Sequence, residues 1–393
     1  REGGTLPEAY AATASLAQAA ERHGYRRFWI AEHHTMDGIG GAATAVVIAH
    51  VGHATSSIRI GSGGIMLPNH NPFVIAEQFG TLDALFPGRI DLGLGRAPGA
   101  GPELARALRK NLHQASEFFP QDVLELRALF DGDPALGVQA TPGRGARVEM
   151  WMLGSSLFGA DLAAQLGMPY AFASHFAPDH LDAALAHYRQ RFQPSEWLEK
   201  PYVMPAMTVF AAETDAEAEL IASSQQQSFV RLRTGQPGKL PPPIPGYRES
   251  LPAPAQAMLA HLSQASAIGS PDTVRDSVAR FIERTAADEI IVSGSTFDLM
   301  VMIGFGLLGW VLRKFDVPLV PIILGTLLGN AMENNLRRAI TIDNGNWGTL
   351  IDSPLSIILW TVAIAGFVAP VIFGKVLKRR MKMAGSDESS TQD

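Results

Sequence analysis

The segment IRIGSGGIMLPNHNPFVIAEQFGTLDALFPGRIDLGLG, residues 58–95, contains the pattern that decides the fold. Short strand-like runs rich in apolar residues, at 58–64 and 89–95, flank a helical pattern over 72–86. A strand, a helix and a second strand in this order are typical of a βαβ unit, in which the two strands lie parallel. The segment therefore predicts an α/β protein with a parallel sheet.

The same alternation continues in both directions along the chain. An Ala-rich helical pattern over 6–24 comes first, and the further strand-like runs are RRFWIAEH, VEMWMLGSS, PYAFASHF, YVMPAMTVFAA and DEIIVSG. This gives roughly seven strands, each ending in a polar or Gly-rich segment, and in a (β/α)₈ barrel such loops build the active site. No strand-like run precedes the first helical pattern. We therefore expect a TIM-barrel-like (β/α)₈ fold that lacks its first strand, with an open edge that favours dimerisation.

Composition narrows the functional classes. The 393 residues are 47% hydrophobic and 18% charged, with a net charge of −6, which suits a globular protein and argues against nucleic-acid binding. The absence of cysteine excludes disulfides, thiolate metal sites and a cysteine nucleophile. The first ten residues, REGGTLPEAY, have no secretory signal pattern, so we expect a cytoplasmic barrel.

The chain changes character near residue 298. The uncharged run LSIILWTVAIAGFVAPVIFG, residues 355–374, is about as long as a bilayer-spanning helix requires, and the basic segment KVLKRRMK follows it. We expect a barrel domain over 1–297, an all-α hydrophobic membrane-type tail over 298–383 attached to the inner membrane, and a disordered end over 384–393.

Histidines follow the first predicted strand. Glu32, His33 and His34 alternate across the strand end, so His33 faces away from its two neighbours. Imidazole titrates near neutral pH and can exchange protons with a substrate, so one of the two histidines can act in the mouth of the barrel, and the alternative is a pair that caps the strand. A metal site would need these residues together with His70, His113 and His175. Because adjacent histidines diverge and no H-E-x-x-H spacing occurs, we expect no metal.

An anion site is predicted where two other strands end. Arg96 follows RIDLGLG and offers a planar cation suited to a phosphate. Ser155, Ser156 and Gly159 lie at a helix start, where free N–H groups favour an anion, although a Gly-Ser-Ser start alone is more often a plain N-cap. Together with Arg96 they favour a phosphate site. The segment GLGRAPG is not a dinucleotide fingerprint, because its spacing differs.

The loop motifs, taken together, resemble one enzyme family. WIAEHH, IRIGSGGIMLPNHNP, FPGRIDLGLGRAPG and MLGSSLFGADLAAQLGMPYAFASHFAP are similar to segments of the luciferase-like flavin monooxygenases, and the resemblance runs from about residue 6 to residue 297. It implies a barrel that binds reduced FMN, or a deazaflavin in some branches, often delivered by a separate flavin reductase. The expected reaction is flavin-dependent oxygenation by O₂ of a small organic substrate such as an aldehyde.

The same resemblance assigns roles to individual residues. It implies that His33 is catalytic and that Arg96 binds the flavin phosphate. It places Gly63 and Gly64 beneath the flavin ring, where the family usually has small residues joined by a non-prolyl cis peptide bond. Asn69 lies between two prolines, so a rigid turn is the first expectation and a contact with the flavin ring is the alternative.

The tail resembles a different protein. GFGLLGWVLRKFDVPLVPIILG and MENNLRRAI are similar to the C-terminal part of the large membrane subunit of tripartite tricarboxylate transporters, over about 297–383. Three functions follow from the whole sequence. The first is a flavin-dependent monooxygenase with a membrane tail, and the alternatives are a transporter fragment or a non-functional fusion of the two.

Overall fold

The computed structural model describes residues 2–97, 102–109 and 111–294. These residues belong to one compact unit of the chain, Arg1–Phe305. The tail predicted over 298–383 and the disordered end predicted over 384–393 lie outside the described residues. No helix within the described ranges is long and apolar enough to cross a membrane.

One parallel sheet organises the described part of the chain. Its strands are β1 Arg27–Ile30, β2 Arg59–Met66, β3 Ile90–Gly95, β4 Glu149–Gly154, β5 Tyr170–Phe172, β6 Val203–Ala211, β7 Ser266–Gly269 and β8 Ile291–Ser293. The order from β1 to β7 follows the sequence, and β8 pairs with β6. Every strand pairing is parallel, which confirms the α/β fold.

The prediction of seven strands was wrong, because the structure contains an eighth. The additional strand is β7, whose four residues SAIG include a single β-branched residue, Ile268. So short a run carries no alternation that could indicate a strand from sequence. It pairs with Thr208–Ala211 of the nine-residue strand β6, and β8 pairs with Ala206–Thr208 of the same strand.

Strand β1 has one hydrogen-bonded neighbour within the described ranges, namely β2. On its other side the contact is made by side chains, because Arg27 Nε lies 3.1 Å from the carboxylate of Glu289, just before β8. The absence of a first barrel strand stays a prediction.

Helices pack around the sheet, and most of them begin at residues that suit a helix start. They are α1 Leu6–Arg22, α2 Thr44–Ala54, α3 Pro72–Leu85, α4 Pro102–Ala107, α5 Leu112–Glu117, α6 Phe119–Asp131, α7 Leu157–Leu166, α8 Leu181–Arg191, α9 Asp215–Arg233, α10 Tyr247–Ser250, α11 Ala253–Leu262 and α12 Pro271–Thr285. The first has a complete capping box, in which Thr5 and Glu8 satisfy each other's backbone N–H groups.

The chain from residue 102 to residue 131 forms three helices, α4, α5 and α6, rather than one long helix. Arg109 has a left-handed backbone, with φ of 54°, and this conformation ends α4. Asn111 then caps α5, because its side chain accepts a hydrogen bond from the backbone N–H of Gln114.

The core fills the space between the sheet and its helices. The strands β2 and β3 contribute Ile60, Ile65, Ile90, Leu92 and Leu94, all at most 2% exposed. These are adjacent parallel strands covered on both faces, so their apolar runs are nearly continuous. The exception is Asp91, a fully buried carboxylate at the start of β3.

Candidate active site

The carboxyl ends of β1 to β5 carry the residues that the sequence singles out. Because all these strands are parallel, the segments that follow them lie at one end of the sheet. This end is called the carboxyl end below, and the end where the strands begin is called the amino end.

A buried carboxylate joins the segments after β1 and β2. Glu32 is 2% exposed, and its Oε1 accepts hydrogen bonds from Nε2 of His34 at 2.6 Å and Nε2 of His70 at 2.7 Å. Its Oε2 accepts from the backbone N–H of Met66 at 3.0 Å. Burial alone would raise the pKa of Glu32, but hydrogen bonds from His70, His34 and Met66 hold it below its usual value. The cluster therefore contains an ionised carboxylate.

His33 is separate from this cluster. Glu32 and His34 contact each other, as expected for alternate residues on one side of a strand end, and His33 lies between them in sequence. It is half-buried, and burial lowers its pKa, which favours the neutral imidazole. Among the described residues none makes a hydrogen bond to its ring. A neutral imidazole of this kind can still accept or donate a proton.

The glycine pair in β2 has close backbone neighbours. The peptide bond between Gly63 and Gly64 is cis, as the resemblance implied. The pairing of β2 with β3 shifts in register between Ser62 and Ile65, so the pair lies at a bulge. A Cβ atom on Gly64 would lie 2.6 Å from the carbonyl oxygen of Gly93, too close to be accommodated without movement. The close packing of β2 against β3 is therefore a sufficient reason for glycine at position 64.

The segment after β2 forms a turn, as expected. Leu67–Asn69 form a single turn of 3₁₀ helix, and the backbone N–H of His70 donates to the carbonyl of Leu67 at 2.9 Å. Asn71 then caps α3, accepting a hydrogen bond from the N–H of Phe73. Asn69 is 5% exposed, and its contact with a flavin ring stays a prediction.

The structure brings Arg96 to the start of α7. The guanidinium carbon of Arg96 lies 3.9 Å from the centroid of the Phe158 ring, and Phe158 is the second residue of α7. Arg96 is exposed, and no carboxylate of the described ranges pairs with it. Two strand ends, those of β3 and β4, thus supply parts of one surface, which we call the anion pocket.

The helix start within the anion pocket is not a plain N-cap. Ser156 occupies the N-cap position with extended backbone, but its side chain makes no capping hydrogen bond. Ser155 and Ser156 are both exposed, so their hydroxyls and the first N–H groups of α7 can bind an anion. Gly159 is buried in the first turn, where an added Cβ would lie 3.4 Å from Cα of Gly154. This glycine lets the helix start approach β4 closely.

A further histidine lies at this end and was considered from sequence only as a metal ligand. His175 follows β5, and its ring lies 4.0 Å from the ring of Phe176. Its buried Nδ1 has no hydrogen-bond partner in the described structure, and burial lowers its pKa to about 4. A neutral, unpartnered imidazole beside an exposed aromatic ring is suited to contact with a ligand. Its position after a strand was the only signal available from sequence.

The sequence argument against a metal is only partly supported by the geometry. His33 and His34 do diverge, but the alternation places Glu32 and His34 on one side and the next strand brings His70 to them. One ligand atom from each of these three residues lies within 4.8 Å of the others. The larger set of residues that the sequence argument weighed and rejected as metal ligands does not come together among the described residues, since His33 and His175 are not part of this group.

The amino end of the sheet has a very different arrangement of charge. Arg27 contacts Asp91 at 2.9 Å, Glu149 at 3.0 Å and Glu289 at 3.1 Å, with its own side chain 5% exposed. Asp91 also accepts hydrogen bonds from Arg59 and from Trp29 Nε1. Burial alone would lower the pKa of Arg27, but the three carboxylates raise it. This group is called the ionic cluster below.

A cavity of about 220 Å³ lies beside the ionic cluster. Its lining includes Arg27, Trp151 and Tyr202, and none of the residues that the sequence predicts for catalysis or cofactor binding. In barrel enzymes the active site lies at the carboxyl end of the strands and the amino end contributes to stability. The presence of a cavity at the amino end therefore does not identify it as the active site.

Comparison with known proteins agrees with the geometry of the carboxyl end. Residues 1–289 match the luciferase-like monooxygenase family. A luciferase-like monooxygenase of Escherichia coli (strain K12) is 48% identical over 298 residues, covering 76% of this chain and 89% of that protein. An N-acetyl-S-alkylcysteine monooxygenase of Bacillus subtilis (strain 168) is 35% identical over 247 residues, covering 60% of this chain and 71% of that protein.

Solved structures show the same fold. The crystal structure of apo-MsnO8 has a TM-score of 0.71 at 34% identity, covering 77% of this chain and 92% of that chain. Two structures below 25% identity show the fold alone. The first is the oxygenating constituent of 3,6-diketocamphane monooxygenase in complex with FMN, which has a TM-score of 0.54 at 18% identity and covers 74% of this chain and 88% of that chain. The second is an F420-dependent secondary alcohol dehydrogenase, which has a TM-score of 0.53 at 15% identity and covers 72% of this chain and 88% of that chain.

The family match spans most of the chain, and the E. coli protein is similar over most of its own length as well. Both agree with a parallel sheet whose carboxyl end gathers histidines, a glycine pair and an arginine beside a helix start. The chain belongs to the luciferase-like monooxygenase family.

Proposed function

We propose that the protein is a flavin-dependent monooxygenase that uses reduced FMN and O₂ to oxygenate a small organic substrate such as an aldehyde. The observation that carries this proposal is the anion pocket, where Arg96 lies against the uncapped start of α7. FMN ends in a phosphate, and a phosphate is the anion that such a pocket suits.

The residues of the pocket fit a phosphate by charge and by donor type. Arg96 supplies a planar guanidinium with several N–H donors, and no acidic partner in the described ranges competes for it. Ser155 and Ser156 supply hydroxyls, and the first turn of α7, with Gly159 in it, supplies backbone N–H groups and the positive end of the helix dipole. These donors would hold the phosphate group of the cofactor.

The isoalloxazine ring would lie toward β2. Gly63 and Gly64 offer backbone without side chains within β2, which would let a flat ring approach closely. Asn69 would contact the edge of the ring from the turn that follows. The bound reduced flavin supplies the electrons that activate O₂ for insertion into the substrate.

His33 would hold or move a proton at its imidazole. It is half-buried, its ring has no hydrogen-bond partner within the described structure, and its lowered pKa keeps it neutral near neutral pH. A neutral imidazole can give or take one proton during oxygenation, and partial burial limits exchange with water.

The apolar residues at the carboxyl end favour a small organic substrate. Phe158, Leu157 and Phe176 are large hydrophobic side chains that stay between 37% and 47% exposed in the absence of a ligand. Phe176 also packs against Phe229, with ring centroids 5.7 Å apart. An aromatic surface of this kind would bind an apolar chain or ring while the donors hold the cofactor.

The choice of cofactor and the partner protein are also part of this proposal. A deazaflavin is the alternative to FMN, because solved structures of the same fold include enzymes described with FMN and with F420. One of these proteins is described as an oxygenating constituent, which supports a separate flavin reductase as the partner that delivers reduced FMN.

The proposal is tested by titrating the protein with FMN, reduced FMN, riboflavin and F420 under anaerobic conditions. We expect reduced FMN to bind at least about tenfold more tightly than reduced riboflavin, because one charge-assisted phosphate contact contributes about 1.5–3 kcal/mol. Tighter binding of F420 than of FMN would select the deazaflavin. Equal affinity for FMN and riboflavin would overturn the assignment of the anion pocket.

A further inference from the structure

We propose that Glu32, His34 and His70 form a binding site for a divalent transition-metal ion, with Zn²⁺ as the ion that the donor set fits best. One ligand atom from each residue lies within 4.8 Å of the other two. The proposal does not depend on the flavin function, because none of these three residues is assigned to the flavin or to proton transfer.

The donor set is one that zinc uses in proteins. Two imidazole nitrogens and one carboxylate oxygen bind Zn²⁺ at about 2.0–2.2 Å and leave a fourth position for water. In the structure, Nε2 of His34 and Nε2 of His70 both converge on Oε1 of Glu32, at 2.6 Å and 2.7 Å. The ion would take the place of the hydrogens that these groups now share.

The cluster needs only a small movement to accept the ion. Ligand atoms about 2.0–2.2 Å from a tetrahedral zinc lie roughly 3.3–3.5 Å apart, so the two imidazoles would move outward by on the order of half an ångström to one ångström. The histidines have room for this change, since their side chains are 17% and 27% exposed. Their exposure also gives an ion a path from solvent.

The carboxylate is already oriented for binding. Oε2 of Glu32 is held by the backbone N–H of Met66 at 3.0 Å, which fixes the carboxylate with Oε1 toward the two histidines. Metal-binding carboxylates are commonly held in this way by a hydrogen bond on the second oxygen. No lysine or arginine of the described ranges forms an ion pair with Glu32, so no protein cation competes with the metal.

Another histidine in the chain provides a matched control. His187 Nε2 lies 2.7 Å from Oδ1 of Asp161, a distance equal to that between His70 and Glu32. No third His, Asp or Glu of the described ranges completes a group with this pair, and the guanidinium of Arg191 lies 3.4 Å from the same oxygen. It reproduces a single histidine–carboxylate contact without the converging geometry.

The experiment is a calorimetric titration of the full, tag-free chain with Zn²⁺, together with its His34→Gln, His70→Gln and His187→Gln variants. We expect one equivalent of Zn²⁺ to bind the parent and the His187→Gln variant with the same affinity. We expect His34→Gln and His70→Gln each to weaken binding by roughly a hundredfold, because each removes one of three ligands. Circular dichroism without metal establishes that each variant is folded.

A second measurement reports on the ligands themselves. Co²⁺ added in place of Zn²⁺ should give visible absorption bands of a four-coordinate or five-coordinate site, and these bands should be lost in the variant of either ligand histidine. The proposal is overturned if the parent binds no Zn²⁺ at micromolar concentration. It is also overturned if both ligand variants bind as tightly as the parent, or if His187→Gln abolishes the binding.

Discussion

The two ends of the sheet use charge in opposite ways. At the amino end, Arg27 and Asp91 are almost completely buried and contact each other and neighbouring charged side chains. At the carboxyl end, Arg96 is exposed and lies on an aromatic ring, and a buried nitrogen of His175 has no partner within the described part of the chain. The amino end is internally satisfied, whereas the carboxyl end retains donors and acceptors for a ligand.

The difference has a physical cause. Burying a charge is costly unless a partner of opposite sign accompanies it, so a cluster that serves stability must satisfy its members within the fold. A binding site must leave some groups to be satisfied by the ligand, and it keeps them partly exposed so that the cost in the free protein is small. We therefore expect substitutions at the amino end to change stability and substitutions at the carboxyl end to change binding and turnover.

The largest expected effect comes from removing a carboxylate of the ionic cluster. Asp91→Ala removes the buried carboxylate that Arg27 and Arg59 share, leaving them only the partly exposed Glu149 in common, and it leaves Trp29 without its hydrogen-bond acceptor. Breaking a buried ion pair in this way costs about 3–5 kcal/mol, which a urea unfolding curve would measure. Asp272→Ala, which breaks an exposed pair with Arg275, is the control and should cost less than about 1 kcal/mol. Similar losses in the two variants would remove the contrast between buried and exposed charge.

The second effect concerns His33 and should appear in turnover with little change in stability. His33→Ala removes a proton donor or acceptor, which typically costs about a hundredfold or more in rate. We expect substrate oxygenation to fall by that factor while flavin affinity stays within about twofold, and reduced flavin to be consumed with release of hydrogen peroxide. The measurement is the ratio of product to peroxide. His50→Ala, an exposed histidine on α2, should keep the parent ratio, and full coupling in His33→Ala would exclude His33 from the chemistry.

The third effect concerns Arg96 and should appear in cofactor affinity. Arg96→Ala removes a charge-assisted contact with a phosphate, so the Kd for reduced FMN should rise roughly tenfold to a hundredfold. The Kd for reduced riboflavin, which lacks the phosphate, should be nearly unchanged. Arg106→Ala, a highly exposed arginine on α4, serves as the control. Equal weakening of FMN and riboflavin would mean that Arg96 contacts the ring, in conflict with the anion pocket.

The smallest expected effect concerns acid stability at the amino end. Glu21 accepts backbone hydrogen bonds from Ser56, Ser57 and Ile58, just before β2, and these bonds lower its pKa to about 2. Because the folded pKa is below its ordinary value of 4.5, its stabilising contribution is present above pH 4.5 and is lost as the pH falls toward 2. The difference in Tm between the parent and Glu21→Gln should therefore be largest near pH 6 and smaller near pH 3.

The control for this experiment is Glu283→Gln, on an exposed position of α12, which should leave Tm unchanged at both pH values. A difference between the parent and Glu21→Gln that stays constant from pH 6 to pH 3 would show that the hydrogen bonds of Glu21 do not depend on its charge.

Much of the architecture and part of the site could be predicted from the sequence. The alternation of strand-like and helical runs determined the parallel α/β fold, since strand and helix patterns have different periods. The side on which Glu32 and His34 lie followed from the two-residue period of a strand. Gly63 and Gly64 were singled out by the resemblance to the family, and Arg96 by its planar cation after a strand together with the same resemblance.

The tertiary structure alone decided which of these residues meet. Residues 32 and 70 are far apart in sequence, and they share a carboxylate contact only because β1 and β2 are adjacent and parallel. The strand β7 was recognised only by its pairing with Thr208–Ala211 of β6, and the first break in the helical region after residue 102 was recognised only by the left-handed backbone of Arg109. Sequence patterns report local conformation, whereas contacts between distant residues depend on the register and burial of the folded sheet. For that physical reason, the meeting of Glu32, His34 and His70 could be found only from the structure, as could the contact between Arg96 and Phe158 at the start of α7.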